Sequence, residues 1–529
     1  MKRHRKALAI GILGAWLAGL GALAWREYSR GSAERLAEVA TRVTPGASFY
    51  AVKQGREQIG FASSTIDTTL TTIEMTDLFV ADLPVGGALH RATARSVVHL
   101  TRGLALTDFK VTLDSDAGHL EVTGRPAGDT SLVIVIASDG APADTQVVRA
   151  DGPVFLPTLV PLAVMLSKEP RVGARHKLMM FDPTTMAPRE VVLRIAAESL
   201  FTLVDSARID TRVRRWVPAL SDTVRAWRLE AVGEGASRFA GWVDAYGRVV
   251  ELSQPGELVM RRVAFELAYE NWRLDRRNRV RRATTVDSDI LESTAIAASA
   301  PLAKGRRERL AVRLSNVDLT GFELAGGRQR LTGDTLVVAT EPREALTAAY
   351  ALPGDTAHRA RFVHELRAEP LLQSTAPEIV ELAARLRGTE TDPRVVAERL
   401  NRWVHDSLRK EITFGLPNAA QVLATRSGDC NEHTQLYLAL ARALGIPARA
   451  AVGLAFVRGK FYYHAWPEVF LGDWVAVDPT FGEFPADAAH LRFVTGGLDR
   501  QVELLRLIGT LKVDVVGGSG VSGTGKPRR

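Results

Sequence analysis

Hydrophobic and polar positions change period along this chain, and each change predicts a different kind of element. From Ala7 to Trp25 no residue is charged. A helix of that length rises about 28 Å, close to the ~30 Å of a bilayer core. Between residues 36 and 272 the pattern shortens to alternating runs such as Ser48 to Lys53, Gln58 to Ala62, Val111 to Leu113, Arg189 to Ile195 and Arg238 to Leu267. Period two bounded by turn residues predicts strands, with Tyr246-Gly247 as a hairpin turn. Phe155 to Leu166 is continuously apolar apart from Thr158 and carries Pro157 and Pro161; too short to span a bilayer, it predicts a buried helix or a cover on the sheet. Helical periodicity takes over at Asp392-Pro393, through Leu400 and Val404, and again at Leu436, Leu440, Ala443 and Leu444.

These changes divide the chain into an N-terminal anchor (1–30), a β-rich antiparallel domain (36–272), a linker (273–309), a small β-segment (310–355), an α+β domain (360–500) and a C-terminal segment (501–529). The linker is marked by the basic run Arg273 to Arg282 and the Ala/Ser-rich Ala295 to Ala300, and the Gly/Ser-rich tail from Gly517 is expected to be disordered. The cluster Lys2-Arg3-His4-Arg5-Lys6 before the apolar run should stay in the cytoplasm, which sends the bulk of the chain to the extracytoplasmic, periplasmic side as a single-pass membrane protein. Ala22-Leu23-Ala24 has the small-x-small form of a signal-peptide cleavage site, an alternative that exports the chain equally.

Composition narrows the picture further. Hydrophobic residues make up 46% and charged residues 24%, so the chain should fold rather than stay disordered. A net charge of +8, concentrated at Lys2 to Lys6, Arg273 to Arg282 and the last residues, suits topology signals and solvated linkers and predicts no nucleic-acid partner.

Cys430 is the only cysteine, so it cannot form an internal disulfide and is either a small core residue or a nucleophile. Asp429 before it and Glu432 after it have capping-box spacing, and Gly445 and Pro447 predict where the helix ends. This places the thiol in the first turn of a helix, where the dipole favours a thiolate. Downstream, Tyr462 to Phe470 predicts a strand carrying His464, and Asp473 to Val477 a second strand ending in Asp478-Pro479-Thr480. The turn Leu471-Gly472-Asp473 would fold the two into a hairpin and bring His464 beside Asp478. Cys430, His464 and Asp478 are therefore the expected nucleophile, general base and orienting carboxylate.

Gly428-Asp429-Cys430, the helix through Ala441 to Arg449, His464-Ala465-Trp466 and Val477-Asp478-Pro479-Thr480 together resemble the transglutaminase-like superfamily of papain-like thiol enzymes. The resemblance spans roughly residues 360 to 500. It implies a cysteine helix packed on an antiparallel sheet that carries the histidine and the aspartate, no cofactor, and acyl-thioester chemistry on a protein or peptide amide. That chemistry ends in hydrolysis, deamidation or transfer to an amine. Hydrolysis is the expected outcome, and a non-catalytic binding or scaffold module of the cell envelope is the alternative.

Plainer readings stand beside each residue. Cys430 could be a buried small hydrophobe, His464 a satisfied strand histidine and Asp478 only the start of an Asp-Pro turn. Cys430, His433 and His464 could instead hold zinc, although no metal is the expected state. Gln421 and Asn418, upstream of the cysteine, are candidate oxyanion donors. Trp466 and Tyr463 either wall the acyl groove or belong to the core.

Overall fold

The structure is a computed structural model that describes residues 43–520, except 86–87, 117, 129, 140, 150–151, 168, 184, 233–239, 255–257, 276–279, 281–289, 303–304, 413–417, 502–503, 505–506 and 509. The expected membrane helix over Ala7 to Trp25 lies outside the described residues. Among those that are described, no helix is long and apolar enough to cross a membrane.

The alternating runs of the N-terminal half form one sheet of fifteen strands between Gly46 and Val263. Its order runs from the eighth strand back to the first, then from the fifteenth back to the ninth, so Gly46–Gln54 lies antiparallel to Leu258–Val263. The two sets of runs visible in the sequence therefore share a single sheet. All pairings are antiparallel except Val154–Phe155 with Met179–Met180. The sheet must curl, because Ile134 on its seventh strand and Leu193 on its eleventh are buried in the same core. The apolar segment fills that curl: Pro157–Leu159 makes a 3-10 turn, Val160–Ser167 a helix, and every residue from Val160 to Leu166 is buried. A helix apolar on all sides has no other stable place in a water-exposed domain.

The α+β half contains helices α1 (Pro377–Arg387), α2 (Pro393–Ser407), α3 (Ala419–Thr425) and α4 (Cys430–Ala443). They pack on a sheet built from β1 (Ile296–Ala297), β2 (Ala448–Val457), β3 (Lys460–Phe470), β4 (Trp474–Ala476) and β5 (His490–Thr495). The order is β1-β3-β2-β5, with β4 also pairing β3. Buried Leu436, Tyr437 and Leu440 of α4, and Leu444 just after it, share a core with Ile379, Leu400, Val404, Val469 and Val475.

Two expectations from composition give way to tertiary pairing. Within the expected 273–309 linker, Ile296–Ala297 is the edge strand β1 on Phe461 and Lys460, and Glu292 accepts hydrogen bonds from Lys460 Nζ and Tyr462 Oη, both at 2.8 Å. Gly517 to Gly520, expected to be disordered, belong to a strand: Lys512–Gly520 pairs with Arg307–Ser315, with Gly517 opposite Ala311 and Gly518 opposite Leu310. Glycine has both backbone hydrogen-bonding groups, so a partner strand can order a segment that composition alone marks as free. With Gln329–Thr332 and Thr335–Ala339 these two strands make a four-stranded sheet.

Candidate active site

The cysteine helix begins as its capping sequence dictates. Asp429 Oδ1 accepts the Asn431 N–H at 2.9 Å, and Glu432 Oε2 accepts the Asp429 N–H at 2.9 Å. Gly428 makes this possible, since a Cβ there would lie 2.2 Å from the Glu432 Cβ. At the other end Gly445, at φ +84°, stops the helix and leads to Pro447. Cys430 is thus the first residue of α4, half-buried, with its thiol against the backbone of Ala465 on β3.

The hairpin of β3 and β4 pairs Phe470 with Trp474 and Glu468 with Ala476. The chain then turns back at Asp478, whose backbone exchanges hydrogen bonds with Glu483 at 2.9 and 2.8 Å. The two carboxylate oxygens of Asp478 have separate partners. Oδ1 accepts the N–H groups of Thr480 and Phe481 at 2.7 and 3.0 Å and holds the turn. Oδ2 accepts from His464 Nε2 at 2.7 Å and from His490 Nε2 at 2.9 Å. Asp478 is fully buried, and the turn-forming and histidine-orienting readings describe one oxygen each.

His490, at the start of β5, is a residue that the sequence reading missed. Its Nδ1 faces Asp487 Oδ1 at 3.4 Å, and Asp487 in turn pairs with Arg307 at 2.9 Å. Burial by itself would push the imidazole pKa down, but the hydrogen bonds to Asp478 and Asp487, with the charges of Asp478 and Glu483, outweigh it and hold it up at about 10. Burial would raise the carboxyls of Asp478 and Asp487. Their histidine partners outweigh it, keeping Asp478 well below the usual range and Asp487 at about 2. Phe481, partly exposed, stacks on the His464 ring at 4.7 Å and 6°, and Trp466 stacks on the same imidazole at 6.0 Å.

The sheet sets these side chains in register. His464 on β3 lies opposite Gly453 on β2, which lies opposite Arg492 on β5 at a bulge. A Cβ on Gly453 would come within 1.9 Å of the Leu491 carbonyl oxygen, so only glycine lets β5 approach closely enough for His490 to reach Asp478. Behind the histidines, Glu468 is buried between Arg449, at 2.7 Å, and Arg492, at 3.0 Å, which ties β2, β3 and β5 together.

The thiol departs from the expectation of a depressed pKa. Burial, then the charge of Asp429 and more weakly those of Glu432 and Asp478, push the Cys430 pKa well above its ordinary value, against the backbone of Ala465, which favours the thiolate. Position at a helix start therefore does not by itself fix the direction of the thiol shift; burial and the capping carboxylates push it up. The other candidates are placed as follows. Asn418 caps α3 by accepting the Gln421 N–H at 3.1 Å, and the amide of buried Gln421 lies against Gly118 in the large sheet. Trp466 is 1% exposed, and Tyr463 packs in the core beside β5. His433 is buried, donates from Nδ1 to the Asp429 carbonyl at 2.7 Å, and leaves Nε2 without a hydrogen-bond partner.

The zinc alternative of Cys430, His433 and His464 has no counterpart in the geometry. Among the described residues, the groups whose ligand atoms converge within 4.8 Å are His464, Asp478 and His490, and Glu483, Asp487 and His490. The hydrogen bonds at 2.7 and 2.9 Å account for the first arrangement without an ion.

Fold and site define an α+β domain with a single thiol at a helix start, against Ala465 of the strand that carries His464. Residues 380–479 match the family model of the transglutaminase-like superfamily, so this part of the chain is transglutaminase-like. The match takes in Cys430, His464 and Asp478 and stops short of His490. An uncharacterized protein of Haemophilus influenzae is 27% identical over 128 residues, 22% of this chain and 34% of that protein, so the chain spans about a third of the length of this curated relative. The periplasmic domain of TgpA from Pseudomonas aeruginosa, solved bound to ethylmercury, is 20% identical, covering 36% of this chain and 76% of that one, at a TM-score of 0.22. A beta-barrel-like protein of a domain of unknown function from Brucella abortus is 12% identical, covering 42% of this chain and 96% of that one, at a TM-score of 0.28.

Proposed function

We propose that this protein is a thiol-dependent acyl-transfer enzyme acting on peptide or isopeptide amides outside the cytoplasm, with hydrolysis favoured over cross-linking. The observation that carries the reading is the buried 2.7 Å bond between His464 Nε2 and Asp478 Oδ2, with Cys430 against the next residue, Ala465. Because Nε2 donates its proton to Asp478, Nδ1 is the nitrogen with a lone pair to offer. Cys430 Sγ attacks the amide carbonyl carbon as its proton passes to His464 Nδ1. The tetrahedral intermediate collapses by losing the amine, which takes that proton, and leaves an acyl-thioester. Water, deprotonated by the same nitrogen, releases the acid; an amine in its place would give a cross-link. A thiol held above its ordinary pKa gives up its proton during attack and not before it. The basic cluster and apolar run at Lys2 to Trp25 support the extracytoplasmic location.

One observation favours a second reading, a non-catalytic binding or scaffold module: the raised pKa suits a thiol retained only for packing. Alkylation of the single cysteine by iodoacetamide at pH 7.5, followed by intact mass, separates the two. For an enzyme, His464→Ala should slow the reaction, on the order of a hundredfold. Equal rates in wild type and variant would leave only the scaffold.

A further inference from the structure

The curled sheet of the N-terminal half is not filled by its own side chains. Between its concave face and the helix Val160–Ser167 lies a cavity of about 470 Å³. Protein cores are close-packed, with few voids larger than one water, so a space of this size is a feature of the fold and not a packing fault. It falls within the roughly 300–1,000 Å³ typical of small-molecule sites. Its wall is apolar, from Ile66, Met75, Leu113, Val122, Leu162 and Phe181, and water has few partners there. An aliphatic occupant satisfies such a wall.

Charge at the lining adds direction. The acidic residue there is Asp77, whose carboxylate already accepts from Ser96 Oγ at 3.1 Å on the inner face of the sheet. Arg248 is half-buried where the turn through Gly247 closes against the backbone of Leu162. Its Nη2 donates to the Thr44 hydroxyl at 3.3 Å and its guanidinium lies 5.8 Å from the centre of the Tyr246 ring, while among the described residues no carboxylate lies within ion-pair distance of it. A guanidinium at the edge of an apolar hollow fits an anionic head with a chain behind it.

We propose that this cavity binds a long-chain aliphatic carboxylate, with the chain in the hollow of the sheet and the carboxylate on Arg248. The site is separate from the thiol chemistry and stands whether or not that reading does. The test uses the full-length protein in a non-ionic detergent below its micelle concentration. It is titrated with decanoate, dodecanoate, tetradecanoate and hexadecanoate against a displaceable fluorescent fatty acid, with the stoichiometry read by native mass spectrometry. One chain should bind per protein, and each added methylene should tighten binding about fourfold until the cavity is full. Arg248→Gln should weaken the carboxylates on the order of tenfold while leaving the alcohols of equal length unchanged. Ala94→Phe, which adds a ring to the lining without removing a buried group, should abolish both. A lysophosphatidylglycerol series, with a phosphodiester head in place of the carboxylate, is run in parallel. Tighter binding of the free acid supports the carboxylate, and tighter binding of the lysolipid would overturn it. Non-saturable uptake, no chain-length dependence, or affinities that neither variant changes would overturn the proposal. Far-UV circular dichroism checks that the variants fold, and Arg248→Gln, at the cavity edge, keeps the test valid if Ala94→Phe does not.

Discussion

His490 offers the sharpest test of the electrostatics around Asp478. The perturbation is His490→Gln, which keeps a polar side chain but cannot carry charge. In the folded protein the imidazole is 3% exposed and its pKa stands at about 10, against the ordinary 6.5 of the unfolded chain. Between those values the folded state holds a proton that the unfolded state has released. The stability His490 supplies is therefore complete below about pH 6.5 and is lost as pH rises towards 10, at ~1.4 kcal/mol per pH unit. The whole interval corresponds to about 5 kcal/mol, an upper figure for one buried group with two acidic partners.

The assay is urea unfolding followed by tryptophan fluorescence at constant ionic strength from pH 6.5 to 9.5, taking the transition that the substitution shifts. The advantage of wild type over His490→Gln should shrink by roughly 4 kcal/mol across that range. Cys430, whose raised pKa also makes alkaline pH destabilising, is present in both proteins and cancels in the difference. An advantage that stays constant with pH would mean that His490 is neutral in the fold. Asp478 would then orient His464 without a second positive partner.

Other expectations are more local. Asp429→Asn keeps a good helix cap, so stability should change by only a few tenths of a kcal/mol. It also removes the nearest charge that raises the thiol pKa, so the pH midpoint of Cys430 alkylation should fall. Gly453→Ala drives a Cβ into the Leu491 carbonyl, and because the obstacle is backbone it should cost about 2 kcal/mol or more, seen as a melting temperature lower by roughly 5 °C. Truncation after Leu511 removes the partner of Arg307–Ser315 and the buried Val513; it should lower the melting temperature and promote aggregation through the bared strand edge, measured by light scattering.

Local signals made much of the α+β half legible. Asp429, Glu432, Gly445 and Pro447 bracket α4 because caps and breakers act within a few residues, and Leu471-Gly472-Asp473 specifies the hairpin that brings His464 to Asp478. His490 was not legible. It reaches Asp478 only because β5 pairs with β2 at the Gly453 bulge, a contact set by sheet order and not by any nearby motif. Strand pairing at Gly517–Gly520 stayed hidden for a related reason: glycine and serine carry little strand propensity, and their order comes from a partner far away in the chain, as does that of the two-residue strand Ile296–Ala297. The thiol pKa shows the same limit in electrostatics. A helix start can be read from sequence, but the desolvation that raises the thiol pKa depends on what the fold lays over Cys430.

The large sheet is coupled to the cysteine helix by contact, not only by chain connection. Leu371, just ahead of α1, is buried in the core of the curled sheet, and its carbonyl accepts the Ala419 N–H at the start of α3 at 3.1 Å. Gln421 on the same helix abuts Gly118 of that sheet. Helix α3 ends at Arg426, a left-handed residue whose guanidinium lies over the Trp403 ring at 4.6 Å, and Ser427–Gly428 then pairs with Arg409–Lys410 directly before Cys430. A short path of apolar packing, hydrogen bonds and one cation–π contact thus joins the sheet to the first turn of α4. These packed elements give the large sheet a physical connection to the start of α4 in addition to the chain linkage.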